Sequence, residues 1–210
     1  MKVEIWSDVM CPFCYIGKRK FERALEQFPG KDRVEIEWKS FQLNPDMKTD
    51  PSKSINDYLA EHKGITVEQA KQMNDRVAGM AREVGLQYDF DNAVVANSFD
   101  AHRLSHFAKK QGRQDAIEER LFKAYFTEGM NTADHETLVQ LAAEAGLNAD
   151  ETRIMLEGNE FADAVNNDIY EANQVGARGV PFFVFDNTYA VSGAQPSELF
   201  LQVLNKVSAG

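Results

Sequence analysis

The sequence predicts an α/β fold. A β-α-β segment at one end and an α-β-β-α segment at the other build one sheet, with a large all-helical insertion between them. Three observations carry this reading. Strand-like alternation is confined to residues 2–41 and 182–191. From Pro51 to about Gly158 the apolar spacing is helical, with Gly64, Gly85, Gly112, Gly129 and Gly146 near the ends of the helical runs. Neither end has enough strands to bury a sheet face alone, so the two ends must combine. The expected division is a discontinuous domain, 1–48 with 159–210, around an insert at 49–158.

The elements follow in order. Lys2–Ser7 is rich in β-formers and predicts the first strand. From Pro12 to about Phe28, Tyr15, Phe21, Leu25 and Phe28 recur at helical spacing, and Pro29-Gly30 stops that helix. Val34–Phe41 alternates cleanly as a second strand and ends before Asn44-Pro45. Predicted helices then cover Ile55–Lys63, Thr66–Val84, Ser98–Gln111, Gln114–Thr127, Asp134–Ala145 and Asp150–Leu156. Thr66 with Gln69 reads as a capping box, and Asp134 and Asp150 are candidate caps. A further helix runs from Asn159 to about Asn173. Phe182–Phe185, the turn Asp186-Asn187 and Tyr189–Val191 read as an antiparallel hairpin. Ser197–Val207 closes the chain as an amphipathic helix.

Composition narrows the function. A hydrophobic share of 43% supplies a core, and 27% charged residues suit a soluble, folded chain. A net charge of −10 argues against a phosphate-rich partner, so no nucleic acid is expected. No apolar stretch is long enough to span a bilayer, so no membrane is expected either. The start of the chain is too short in its apolar part and too acidic for a signal peptide, which gives a cytoplasmic expectation.

Both cysteines lie in Cys11-Pro12-Phe13-Cys14, directly after the first strand. Two cysteines fall at that spacing by chance about 1 time in 100, and strand–Cys-x-x-Cys–helix is the sequence form of a redox site. Pro12 suits the first helical position, and the free N–H groups of the helix start favour negative charge on Cys11. Cys14, one turn in, is in reach of the Cys11 sulfur. The expected roles are Cys11 as nucleophile and Cys14 as resolving thiol. Phe13, between them at an exposed helix start, is a candidate contact for an apolar substrate. Met73, Met80, Tyr125, Phe126 and Met130 could line a groove beside the pair, although residues at helical spacing more often form core. A rival reading joins Cys11 and Cys14 to His102 and His106 as a zinc set, but about 90 residues intervene, which structural zinc sites avoid. No metal is expected. Lys18-Arg19-Lys20 reads as a solvated helix face and Arg103 as a surface charge.

Several stretches together resemble a known family. They are Val3–Cys14, Ala96–Leu104, Leu121–Phe126 and Gly179-Val180-Pro181-Phe182-Phe183. The chain resembles the DsbA-like thioredoxin-fold oxidoreductases, FrnE type, over nearly its whole length. The resemblance implies a thioredoxin-like fold and a thiol–disulfide oxidoreductase acting on protein or small-molecule disulfides. It implies a cis Pro181 facing the cysteines as part of the catalytic site, with Gly179 and Val180 beside it to bind substrate backbone. Pro12 and Phe13 join them. Asn97 and His102 match a stretch shared with the related glutathione-using 2-hydroxychromene-2-carboxylate isomerases and kappa-class transferases, and are candidate substrate contacts. For Asn97 the simpler role is a helix cap, and for His102 a hydrogen-bonded interface residue.

That relationship keeps a glutathione-dependent isomerase or transferase open as an alternative, and glutathione possible as co-substrate, although Cys14 favours redox chemistry. No other cofactor is expected. A holdase that keeps the cysteines as a redox switch is a third reading. The chain is expected to be a monomer or homodimer. One departure stands out. Thioredoxins carry a buried acid six residues before the first cysteine, and here that position is Ile5, with Glu4 and Asp8 pointing elsewhere or lying past the strand. The group that receives the Cys14 proton is left open.

Overall fold

A computed structural model describes residues 1–209. Its sheet has four strands in the order β2-β1-β5-β6. These are β1 (Lys2–Ser7), β2 (Glu35–Ser40), β5 (Phe182–Phe185) and β6 (Tyr189–Ser192). The two ends of the chain therefore share one sheet. β1 runs parallel to β2, from Lys2 opposite Glu35 to Ser7 opposite Ser40. It runs antiparallel to β5, with Ile5 opposite Phe183 and Trp6 opposite Phe182. Asp186 and Asn187 both take positive φ, the geometry of a tight two-residue hairpin turn, and both side chains tolerate it.

Helix α1 (Pro12–Gln27) and α9 (Ser197–Ser208) pack against one another. Their joint core with the sheet is aromatic: Phe200 lies 4.7 Å from Phe183 and 5.7 Å from Phe21 between ring centres. Such edge-on pairs add to the burial energy of each ring. On the opposite face Trp6 packs with Phe182, Val184 and Ala172, and its indole N–H donates to Asp168 O at 2.9 Å. β1 is thus covered on both faces. That explains why Lys2–Ser7 alternates poorly: a strand in the middle of a covered sheet has no wet face.

Between the halves lie α2 (Ile55–Lys63), α3 (Val67–Glu83), α4 (Phe99–Lys110), α5 (Gln114–Phe126), α6 (His135–Glu144) and α7 (Ala149–Glu157). Next comes α8 (Ala162–Gln174). The capping box of Thr66 and Gln69 is formed, and Asp134 caps α6. The cap of α7 is Asn148 rather than Asp150: its Oδ1 accepts from Glu151 N–H, and Asp150 sits in the first turn, where its charge suits the helix dipole.

Other expectations need correction. The insertion is not wholly helical, because β3 (Asp50–Ser54) pairs antiparallel with β4 (Val94–Val95) in a short irregular ladder. Neither segment has the apolar alternation that announces a strand. Lys18 is buried instead of solvated, surrounded by Glu22, Asp115 and Glu119, while Arg19 is paired to Glu119 and Glu22. Arg103 is likewise buried. Its guanidinium donates to the carbonyls of Met155 at 2.7 Å, Gly158 at 2.6 Å and Glu160 at 2.8 Å, fastening α4 to the end of α7.

The dithiol site

The site grows from the turn between β1 and α1. Asp8 accepts the Cys11 N–H on its carbonyl at 2.9 Å, and Cys14 N–H closes the first helical turn on Cys11 O at 3.0 Å. Cys11 is the N-cap of α1 and Pro12 its first residue. Both cysteines are free thiols. Cys11 is 3% exposed and Cys14 1%, so the nucleophile expected at an open helix mouth is nearly as covered as its partner. Phe13 between them is 40% exposed.

The far end of the chain comes to this point. The Val180–Pro181 peptide bond is cis. Val180 O lies 3.5 Å from Cys11 Sγ and accepts its S–H. Pro181 packs on Gly17, and no side chain would fit between them: a Cβ on Gly17 would stand 2.9 Å from Pro181 Cγ. The glycine therefore sets how closely α1 and the Pro181 loop approach. On the other side of the turn, Tyr88 donates its hydroxyl to Pro12 O at 2.7 Å, and its ring stacks on Phe126 at 4.6 Å. Burial, then the neighbouring charges of Cys11 and Cys14, push the Tyr88 hydroxyl well above its ordinary range, so it stays a donor.

Asp8 is fully buried. Its Oδ2 accepts from Leu43 N–H at 2.7 Å, and its Oδ1 lies 3.5 Å from His102 Nε2. Burial would lower the imidazole, but the Asp8 carboxylate beside it outweighs that, so His102 is raised and favours its cation. Glu118, also buried, contributes to the same field and is itself raised by burial. The Cys14 thiol is pushed well up by burial first and by Cys11 second. The Ser7 hydroxyl and the Asp8 backbone pull the other way.

Cys11, Cys14, Pro12, Val180 and Pro181 are thus together, with Phe13 on their rim. His102 lies behind the site, against Asp8. Asn97 is occupied elsewhere. It caps α4 by accepting from Phe99 N–H at 2.9 Å, and its amide donates to Met47 O at 2.8 Å. Gly179 has open space around its α-carbon. Of the proposed groove residues, Tyr125 and Phe126 are core, whereas Met73 and Met80 are exposed. His106 faces Asp168 at 2.9 Å and Ser40 at 3.1 Å. Among the described residues no cluster of three or more His, Cys, Asp or Glu is arranged for a metal ion, and no helix is long and apolar enough to cross a membrane. Sequence reasoning passed over Gly17, Tyr88 and Ser7, and took Asp8 only as an acid flanking the strand and set aside from the site. Ser7-Asp8 had one signal, a polar pair between a buried strand and the first cysteine.

A family model described as DSBA-like thioredoxin domain matches residues 2–205. The uncharacterized protein YwbO of Bacillus subtilis (strain 168) is 30% identical over 207 residues, 97% of this chain and 95% of its own. A probable DsbA oxidoreductase from Streptomyces coelicolor, a crystal structure, is similar at TM-score 0.93 and 42% identity, covering 100% of this chain and 90% of that one. The cytosolic disulfide reductase DsbM from Pseudomonas aeruginosa shares the fold, at TM-score 0.68 and 18% identity, with 100% of each chain covered. DsbM has also been solved with GSH.

Proposed function

This chain belongs to the DSBA-like thioredoxin domain family, and on that premise we propose that it is a thiol–disulfide oxidoreductase of the FrnE type. Cys11 is the attacking sulfur and Cys14 the resolving one. The observation that carries this is the meeting of two free thiols at the start of α1 with the Val180 carbonyl, 3.5 Å from Cys11 Sγ.

In the reductive direction, the Cys11 thiolate attacks one sulfur of a substrate disulfide. The substrate S–S bond breaks, a Cys11–substrate disulfide forms, and the first product thiolate leaves and takes a proton. Cys14 then attacks Cys11 Sγ as it loses its own proton. The second substrate sulfur departs and is protonated, and the dithiol ends as a Cys11–Cys14 disulfide. The reverse sequence oxidises a substrate dithiol. Cys11 is the group to be met from outside because it caps the start of α1 beside the exposed Phe13, whereas the Cys14 thiol is held protonated by burial.

Substrates are protein or small-molecule disulfides. Glutathione is a fitting co-substrate, a reading supported by DsbM, which was solved with GSH. Phe13 and Val180 flank the attacked sulfur on the substrate side. The reading extends to a cytoplasmic location and to a discontinuous domain, 1–48 with 159–210, carrying the site beside an insert at 49–158. The glutathione-dependent isomerase alternative needs one activating side chain and no resolving thiol, and a Cys14 one turn from Cys11, its N–H on Cys11 O, weighs against it.

Insulin reduction with a thiol donor tests the proposal. Both Cys11→Ser and Cys14→Ser should abolish turnover, and Cys14→Ser should accumulate a mixed disulfide on Cys11. Full turnover by Cys14→Ser would favour the isomerase class, and full turnover by Cys11→Ser would remove the site altogether.

A further inference from the structure

Asp8 is a liability for a sulfur that must become anionic. It is fully buried and lies three residues before Cys11. Its carboxylate is tied to the redox turn itself. Oδ1 accepts Met10 N–H at 3.4 Å, and the Asp8 carbonyl accepts Cys11 N–H at 2.9 Å. Adding the Met10–Cys11 backbone and the cysteine side chain to the first distance leaves the carboxylate at most about 10 Å from Cys11 Sγ. Over that path, at an effective dielectric of about 20, an unopposed charge would cut the thiolate population roughly tenfold.

The opposing charge comes from the insertion. His102, buried on α4, places Nε2 3.5 Å from Asp8 Oδ1. It is the one cationic side chain within 4 Å of that carboxylate among the described residues. At that separation the contact is an ion pair rather than a short hydrogen bond, and Nε2 bonds to no other group. The second carboxylate oxygen is held by a neutral donor, Leu43 N–H at 2.7 Å on Oδ2. The two backbone N–H groups therefore fix where the carboxylate sits, and only the imidazole can cancel its charge. Breaking a buried pair of this kind leaves an uncompensated ion.

We propose that His102 is a positioning residue for the dithiol chemistry and acts through Asp8: its cation neutralises the buried carboxylate that pins the redox turn, so that negative charge can develop on Cys11 Sγ as it attacks. This rests on the redox reading of the dithiol. No proton passes between His102 and the cysteines, and both members of the pair end the reaction as they began it. The helical insertion thereby takes part in the chemistry of a site whose sulfurs it does not carry. Other groups face the pair. Glu118 on α5 and Asp168 on α8 add to the negative field on His102, and Tyr125 on α5 faces Asp8. Tyr88, after α3, faces the cysteines. All four stay in place when His102 or Asp8 is changed.

The test is a double-variant cycle of His102→Gln and Asp8→Asn, with dithiodipyridine, a neutral aromatic disulfide, as the probe. Gln keeps an N–H near the place of Nε2, and Asn keeps an oxygen for Leu43 N–H. The first thiol released reports attack by Cys11, followed from about pH 5 to 9. With Asp8 present, His102→Gln should slow that release about threefold at neutral pH: a tenfold loss of thiolate, offset about threefold by the greater nucleophilicity of a more basic sulfur. The pH–rate profile should move about one unit to the alkaline side. In the Asp8→Asn background the same His102→Gln change should alter the rate by less than about twofold, because no carboxylate remains to neutralise. The double variant buries neither charge, so this arm is readable even if His102→Gln alone folds poorly. A His102→Gln protein with the wild-type rate and profile, or an equal slowing in both backgrounds, overturns the role of His102 and leaves the dithiol chemistry standing. Absence of any second thiol release in wild type overturns the dithiol reading itself.

Discussion

Gly17→Ala isolates the contact that brings the two ends of the chain together. Gly17 lies inside α1, where alanine is favoured over glycine by about 1 kcal/mol. Against that, the new Cβ would stand 2.9 Å from Pro181 Cγ, 3.5 Å from Phe183 Cζ and 3.6 Å from Ala194 Cβ. The first distance is closer than two carbons tolerate, and the other two leave no slack for α1 to slide. Overpacking of one methyl in a filled region costs about 1–3 kcal/mol. The sum is a net destabilisation of about 0–2 kcal/mol. The functional effect should exceed the stability effect, because Pro181 is the neighbour of Val180, whose carbonyl holds Cys11 Sγ at 3.5 Å. Moving that loop by several tenths of an ångström breaks the contact. Urea unfolding gives the first quantity. The rate of Cys11 alkylation, with insulin reduction alongside, gives the second. A Gly17→Ala protein that gains the full helical increment and keeps wild-type thiol kinetics would refute the tight approach of α1 and the Pro181 loop.

Two further outcomes follow from the buried charges. His102→Leu leaves the fully buried Asp8 carboxyl without the imidazole 3.5 Å away, and should destabilise by about 3–5 kcal/mol in denaturant unfolding. The raised His102 contributes stability fully below its ordinary value of 6.5 and loses it as pH rises through the folded value, so His102→Leu should also flatten the alkaline limb of the stability curve. Glu37 behaves oppositely. Burial would raise it, but Lys109, Lys2 and Lys39 outweigh that and hold its carboxyl at about 2. Its contribution is complete above its ordinary value of 4.5 and fades as pH falls toward 2, so Glu37→Gln should lower the urea midpoint at neutral pH and shrink its fall on acidification.

Much of this architecture is written locally. Alternation in Glu35–Ser40, the apolar run Phe182–Phe185 and the Asp186-Asn187 turn are signals that neighbouring residues carry alone. So are the Thr66–Gln69 cap and the cysteine pair. What escaped reading depends on residues brought together from far along the chain. Lys18 reads as a solvated charge until Asp115 and Glu119 arrive from α5. Arg103 reads the same way until the carbonyls at the end of α7 surround it. Asp8 lies past the strand, where a polar residue suits a wet turn, yet Leu43 and His102 make its burial tolerable. Gly17 looks like an ordinary weak point in a helix, and only the arrival of Pro181 from the other end shows why nothing larger fits. The β3–β4 ladder was illegible for a different reason: Asp50–Ser54 contains a proline, and Val94–Val95 is too short to show a period.

The most direct test is to equilibrate the protein with glutathione redox buffers of graded potential, quench with acid, and weigh the intact chain and its Cys11–Cys14 peptide. The account predicts one reversible two-electron transition: loss of two hydrogen masses confined to that peptide, absent in both Cys11→Ser and Cys14→Ser. If both thiols stayed reduced and unlinked across the whole range, or carried only separate glutathione adducts, the dithiol would not be a redox couple and the central claim would fail.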